Sequence, residues 1–133
     1  MAPEESRTGA LDASVVRGRY DGPMYKGALF SIEDTRSGAV ETQRVAFSER
    51  HWKREQGVVI GSAEDCDVRV SGPGITAHHA RWYTGGHHIF VWVLDEDAVV
   101  TSSRGDTYRG GDTLRVDYRP FTMGPYVFSV GFD

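Results

Sequence analysis

Histidines are the residues in this sequence whose number and spacing most suggest metal chemistry. The chain of 133 residues contains five, and four of them form adjacent pairs, His78–His79 and His87–His88. Imidazole nitrogens are common zinc ligands, so the pairs invite a metal-site hypothesis. Both pairs lie in segments with strand-like patterning, however, and adjacent side chains on a strand point to opposite faces. Neither pair can therefore chelate an ion from one side.

The histidines of different pairs are also poorly placed to act together. A hairpin turning at Gly85–Gly86 puts His79 and His88 on one face, but separated by several steps along the strands. At about 3.4 Å per residue the separation is roughly 13 Å, which is beyond metal-ligand reach. The sequence therefore predicts no metal site, and nothing in it indicates a cofactor.

Candidate catalytic residues are scattered rather than arranged in a motif. Ser102, His79 and Asp95 supply the residue types of a hydrolytic triad, but no nucleophile elbow, phosphate-binding loop or dinucleotide fingerprint accompanies them. Cys66 is the only cysteine, which excludes an internal disulfide and favours a small, partly buried strand-end residue. We predict that the protein is not an enzyme and has no catalytic residues.

The charge balance disfavours polyanionic partners. The formal net charge is −4, so no basic field attracts nucleic acid or an anionic membrane surface. The densest basic cluster is residues 50–54, where Trp52 lies beside Lys53 and Arg54. That cluster is either a solvated face or a docking site for an acidic partner.

The elements that position these residues are predicted to be strands. Residues 27–33 and 40–47 alternate apolar and polar side chains around a turn at 34–38, which indicates a hairpin with Leu29 and Ile32, or Phe30, facing inward. Residues 1–22 are polar and lack periodicity, which indicates a mobile tail before one domain at 23–133.

The central stretch is predicted to contain three strands and a second hairpin. Val58–Ile60, Asp67–Val70 and Ile75–Trp82 are strand-like, with a glycine-proline turn before the last of them. The turn at Gly85–Gly86 places Trp82 opposite Ile89. The core face of this hairpin is then formed by five residues: Ala80, Trp82, Ile89, Val91 and Val93.

The C-terminal part of the chain is also predicted to form strands, so the predicted fold class is all-β. Residues 114–116 and 126–130 are predicted to be the last two strands, joined by a connection that contains Pro120 and 123–125. No apolar run approaches membrane-spanning length and no signal peptide is evident, so we expect a soluble, cytoplasmic protein.

The order of these motifs resembles that of the forkhead-associated (FHA) domain. Gly61 matches the glycine of the family's Gly-Arg, and Asp67–Val70 matches its Asp-Ile-x-Leu. Ile75–Ala80 matches Val-Ser-Arg-x-His-Ala at the hydrophobe, histidine and alanine, and Gly111–Leu114 matches Gly-Asp-x-Ile. The resemblance implies a β-sandwich of two mostly antiparallel sheets, in which Gly61 and His79 are structural.

The resemblance also implies a phosphothreonine-peptide site, but the matching positions are altered. Ser62 replaces the arginine of Gly-Arg, Thr76 replaces the serine, and Ala77 replaces the next arginine. The family's backbone-binding asparagine has no counterpart, because the chain contains no asparagine. Arg81 or Arg104 could compensate if either side chain reaches the loops.

From this pattern we predict a non-catalytic interaction or scaffold module that has lost ordinary phosphothreonine recognition. The alternative is an atypical phosphothreonine-peptide reader acting in signalling. Both hypotheses imply a protein partner, with a phosphoprotein as one option, and neither implies nucleic acid or a membrane.

Overall fold

The computed structural model describes residues 26–48 and 57–132, which form a two-sheet β-sandwich. The predicted all-β fold class is therefore confirmed. The strands are β1 (Gly27–Asp34), β2 (Val40–Ala46), β3 (Val58–Gly61), β4 (Val68–Arg69), β5 (Ala80–Gly85), β6 (His88–Val93), β7 (Val99–Ser102), β8 (Thr107–Arg109), β9 (Thr113–Arg115), β10 (Phe121–Met123) and β11 (Tyr126–Phe132).

The two sheets divide the chain unevenly. The first sheet has the order β2-β1-β11-β10-β7-β8, and the second has the order β4-β3-β5-β6-β9. The pairings are antiparallel except for β3 with β4, the one parallel pair between the strands described. The chain crosses between sheets at several loops, and these loops gather at the ends of the sandwich.

The core lies between the sheets and is built around Trp82, which is 1% exposed. Its indole packs edge-on against Phe30, with ring centroids 5.5 Å apart, and stacks on Phe47 at 6.2 Å. Phe121 and Phe128 stack on each other at 5.3 Å within the first sheet. Burying an aromatic side chain removes a large apolar area from water, so these rings hold the sheets together.

The first predicted hairpin is confirmed, with one error in its core face. β1 and β2 pair in antiparallel register, as the alternation indicated. Phe30 and Ile32 are buried, whereas Leu29 is 37% exposed and the prediction that it faces inward is wrong. Side chains alternate with period two along a strand, so Leu29 must face away from Phe30.

The second predicted hairpin is present, but its register differs by two residues. Trp82 lies opposite Val91 rather than Ile89, and Gly85 lies opposite His88. The turn is therefore Gly86–His87, with Gly86 at φ +63°. A type II′ turn needs a positive φ only at its first central residue, so one glycine suffices. A shift of two preserves the faces, and the predicted core face is confirmed as buried.

Three segments differ from the predicted strand boundaries. β5 begins at Ala80, because the preceding residues 75–79 form a loop that bonds to neighbouring loops. The predicted connection around Pro120 contains β10, which pairs with β7 and β11. β8 lies in a glycine-containing segment for which no strand was predicted. Short strands of three residues are too brief to show periodicity in a sequence.

Two predictions concern residues that the structure does not describe. The predicted tail at 1–22 and the basic cluster at 50–54 both lie outside the described ranges. Within those ranges, no helix is long and apolar enough to cross a membrane.

Asp117 fixes the turn that follows β9. It is the only described non-glycine residue with positive φ, at 51°. Its carboxylate accepts hydrogen bonds from Ile89 N at 3.1 Å and Arg115 Nε at 2.8 Å. The Arg115 bond, followed by the Ile89 bond, holds the pKa of this carboxyl below its usual value.

We expect Asp117→Ala to lower the melting temperature by several degrees, and Asp117→Asn by less. Asparagine tolerates the left-handed conformation and can still accept from the Ile89 amide, whereas alanine does neither. Because the folded pKa is depressed, the charge stabilises the fold above the unfolded pKa of about 3.9, and this is lost on acidification through the folded pKa. Thermal unfolding from pH 7 to pH 3 should show the gap between wild type and Asp117→Asn closing. Equal melting temperatures for the two variants would contradict the assignment.

Candidate functional site

The candidate site is the end of the sandwich that carries the β3–β4 loop (residues 62–67), the β4–β5 loop (residues 70–79) and the β6–β7 loop (residues 94–98). We call it the loop end. The same end contains the β10–β11 turn, because Gly124 packs against Pro73 and Ile75. The altered phosphothreonine positions Ser62, Thr76 and Ala77 lie in these loops, although the sequence predicted a strand from Ile75 to Trp82.

His79 joins the β4–β5 loop to the β6–β7 loop and to strands β3 and β7 from inside the protein. Its side chain is fully buried. Its Nδ1 accepts a hydrogen bond of 3.2 Å from Thr76 N, so the ring proton is on Nε2. Nε2 donates a hydrogen bond of 2.8 Å to the Val99 carbonyl. Its backbone donates to Ile60 and accepts from Leu94. Burial lowers the pKa of the imidazole, which keeps the ring neutral near pH 7.

The β3–β4 and β4–β5 loops are closed against each other by backbone hydrogen bonds. Ser62 N donates to the Thr76 carbonyl and Ala63 N donates to the Ala77 carbonyl, both at 3.1 Å. Gly61 permits this contact, because a Cβ there would overlap the Ala77 carbonyl oxygen and lie 2.8 Å from its carbon. Amide groups that could have bound an anion are therefore used within the protein.

The hydroxyl expected to contact a phosphate is covered. Thr76 Oγ1 is inaccessible to solvent and has no hydrogen-bond partner in the described part of the chain. Ser62 is half-buried beside it, and Ala77 is exposed but contributes no polar side-chain atom. In this arrangement the three family positions present no cation, and the Thr76 hydroxyl is not accessible.

The arginines proposed as compensation are placed elsewhere. Arg81 is the second residue of β5, the central strand of the second sheet, and its guanidinium lies over the Trp92 ring, 5.4 Å from the centroid. Arg104 follows the far end of β7, whose first residue Val99 is the one bonded to His79. A strand of four residues spans roughly 13 Å, so Arg104 is at the other end of the sandwich from Thr76.

Sequence reasoning missed the cation that does lie beside Ser62. Arg69 pairs with Gly61 across the parallel β3–β4 ladder, and its Nε donates to the Ser62 carbonyl at 3.0 Å. Gln43 of β2 fixes the same residue, accepting from Arg69 N and donating to its carbonyl. The alternation of residues 67–70 placed Arg69 on the solvent face, but only the β3–β4 pairing brings it to Ser62.

Carboxylates surround the loop end. Asp65 pairs with His78 at 2.9 Å. Asp67 accepts from Val59 N, and Asp95 accepts from Asp97 N in the β6–β7 loop. Acidic groups next to a phosphate dianion repel it, which makes this end unfavourable for an ordinary phosphopeptide.

A second arginine at this end is already neutralised. Arg36, in the β1–β2 turn, makes two hydrogen bonds to the Asp34 carboxylate and one to Tyr126 Oη. The Asp34 bond raises the pKa of Arg36, and the pKa of Asp34 is correspondingly lowered. Tyr126 in turn donates to the Ser71 carbonyl in the β4–β5 loop. Arg36 therefore braces the loop instead of offering free charge.

The candidate hydrolytic triad is not assembled. Ser102 Oγ accepts from Arg104 N and Asp106 N at the far end of β7, away from His79. The Cys66 thiol donates to the Ala77 carbonyl at 3.2 Å, and burial raises the pKa of this thiol. A thiol held protonated is a poor nucleophile.

Comparisons with solved structures identify the type of fold. No protein-family model and no curated protein matches the sequence. Among solved structures, the Rv0020c FHA domain superposes with a TM-score of 0.54 and 14% identity, over 86% of this chain and all of that one. The FhaA FHA domain, complexed with the intracellular domain of Rv3910, gives 0.52 and 15%, over 78% and 99%. The yeast Dun1 FHA domain, in complex with a doubly phosphorylated peptide, gives 0.51 and 16%, over 87% and 82%. Together with the two-sheet topology, these superpositions show that the chain has the fold of a forkhead-associated domain.

Proposed function

We propose that this protein is a non-catalytic protein–protein interaction module that has lost ordinary phosphothreonine recognition. The observation that carries the proposal is the state of the three family positions. Thr76 Oγ1 is buried, and Ser62 and Ala77 supply no cation. One charge-assisted bond contributes about 1.5–3 kcal/mol, so the loss of a single arginine costs tenfold or more in affinity.

We propose a protein partner acting in the cytoplasm, with no cofactor, nucleic acid or membrane. The complex of the FhaA domain with another protein's intracellular domain and the Dun1 peptide complex support a protein ligand by analogy of fold. Fold does not fix function, so the analogy supplies the class of partner and the site decides the mode of binding.

The test is a titration with a degenerate phosphothreonine peptide library and its unphosphorylated twin, followed by fluorescence anisotropy. We expect the two libraries to differ by less than the roughly tenfold that a single charge-assisted bond provides. The titration is run in EDTA so that no bound metal supplies positive charge. Micromolar binding that requires the phosphate would overturn the proposal.

A second candidate, an atypical phosphopeptide reader, is favoured by Arg69. Its guanidinium lies 3.0 Å from the carbonyl of Ser62, where the family carries an arginine. If the titration detects phosphate-dependent binding, Arg69→Ala should weaken it tenfold or more. Arg104→Ala is the matched control, because that side chain lies at the far end of β7. Loss of binding in Arg104→Ala with Arg69→Ala unaffected would reverse the assignment.

A further inference from the structure

Three metal-ligating side chains meet at the loop end, although the sequence predicted no metal site. They are Asp65 and Cys66 from the β3–β4 loop and His78 from the β4–β5 loop, and their donor atoms all lie within 4.8 Å of one another. His78 Nε2 is 2.9 Å from Asp65 Oδ1, and the Cys66 thiol contacts the carbonyl of the residue before His78. This site does not require two histidines from the adjacent pairs, because its three ligands come from two different loops and include only one histidine.

We propose that Asp65, Cys66 and His78 bind one zinc ion through Oδ1, Sγ and Nε2, with the Cys66 thiol releasing its proton to solvent as the ion binds. Thiolate, imidazole and carboxylate are the three donor types found in protein zinc sites. Hard cations such as Mg²⁺ and Ca²⁺ prefer oxygen ligands, so one sulfur and one nitrogen among three donors select against them. Three protein ligands leave the fourth tetrahedral position for water.

The spacing of the donors suits a tetrahedral ion. Zinc bonds of about 2.0 Å to nitrogen and oxygen and about 2.3 Å to sulfur place ligand atoms roughly 3.5 Å apart in a tetrahedron. Small side-chain rotations bring the three donor atoms from their present separations to that arrangement. Asp65 and His78 move slightly apart, which replaces their ion pair by two metal bonds.

The backbone beneath the ligands is already ordered. The bonds from Ser62 N and Ala63 N to the opposite loop fix the two loops against each other, and Cys66 N donates to the Ala63 carbonyl. The three side chains are also accessible: Asp65 and His78 are exposed, and Cys66 is half-buried. An ion can therefore reach the ligands without opening the core.

His79 does not compete for the ion. Its two ring nitrogens are committed to Thr76 and Val99 inside the protein, so only His78 of that pair is free to turn outward.

The proposal does not depend on peptide binding, and the metal experiment contains no peptide. The peptide titration, performed in EDTA, and the metal titration can therefore fail independently.

The test is a titration of the full, tag-free chain with Co²⁺, followed by its displacement with Zn²⁺. We expect one ion per chain, a near-ultraviolet thiolate-to-cobalt charge-transfer band, and visible bands typical of tetrahedral cobalt. Cys66→Ser should remove the charge-transfer band. His78→Gln should weaken binding tenfold or more, since even loss of a residue that only orients a ligand costs about 10–100-fold.

His87→Gln is the matched control, because that histidine is exposed at the tip of the β5–β6 hairpin. It should bind Co²⁺ as the wild type does. Zn²⁺ should also raise the melting temperature of wild type and of His87→Gln, and not that of His78→Gln, because an ion that binds only the folded state stabilises it. Circular dichroism of each variant checks that it is folded. Equal affinity of wild type and His78→Gln, or the absence of a thiolate band, would overturn the proposal.

Discussion

Replacing His79 by alanine is expected to lower the free energy of unfolding by about 3–4 kcal/mol. The imidazole is fully buried and connects Thr76 N to the Val99 carbonyl. Alanine leaves both groups without this partner in a dry interior, at about 1–3 kcal/mol for each unsatisfied group, and also leaves a cavity. Since a domain of this size is stabilised by only about 5–15 kcal/mol, the loss is a large share of the total.

Two variants separate the hydrogen bonds of His79 from its volume. His79→Gln keeps one donor and one acceptor, so it should recover part of the loss if the two bonds matter. His87→Ala removes an exposed imidazole and should leave stability unchanged. Urea unfolding in EDTA gives each free energy. If His79→Ala and His87→Ala were equally stable, His79 would not be the connector that the geometry indicates.

The faces of β5 and β6 were predictable from the sequence, and their register was not. Alternation along β5 and β6 identifies Trp82 and Val91 as core residues, because one face of each strand must be buried. It cannot tell whether Trp82 lies opposite Val91 or Ile89, since a slip of two residues keeps every side chain on its face. The turn decides the register, and Gly85, Gly86 and His87 allow two turns of equal length.

At the loop end, the structural roles of Gly61 and His79 were expected from the resemblance of the motifs to the FHA family. A glycine at position 61 and a histidine at 79 mark the close approach and the buried junction. The contacts that set the chemistry join separate segments of the chain. Arg69 of β4 contacts Ser62, seven residues earlier, and Asp65 contacts His78, thirteen residues later. These contacts depend on how β3, β4 and the loops that follow them pack together in the folded protein. Local sequence patterns do not encode that packing.

Gly61→Ala is expected to destabilise the fold by about 3 kcal/mol, the upper end of what overpacking usually costs. The added methyl group would overlap the Ala77 carbonyl oxygen and lie 2.8 Å from its carbon and 3.0 Å from His79 N. All three are backbone atoms, so no side-chain rotation relieves the contact. The loops must separate, and the bonds from Ser62 N and Ala63 N must lengthen or break.

Gly131→Ala is the matched control, because it is also a strand glycine but a Cβ there would meet nothing within 4 Å. It should be neutral or slightly stabilising, since alanine has less freedom to lose on folding than glycine. Hydrogen exchange then distinguishes overpacking from a general loss of stability. Under conditions where both variants are folded, the amides of Ser62 and Ala63 should lose protection in Gly61→Ala and keep it in Gly131→Ala. Retained protection with unchanged stability in Gly61→Ala would mean that the loops accommodate a side chain at position 61, and the closed loop end would no longer explain why the Thr76 hydroxyl is buried.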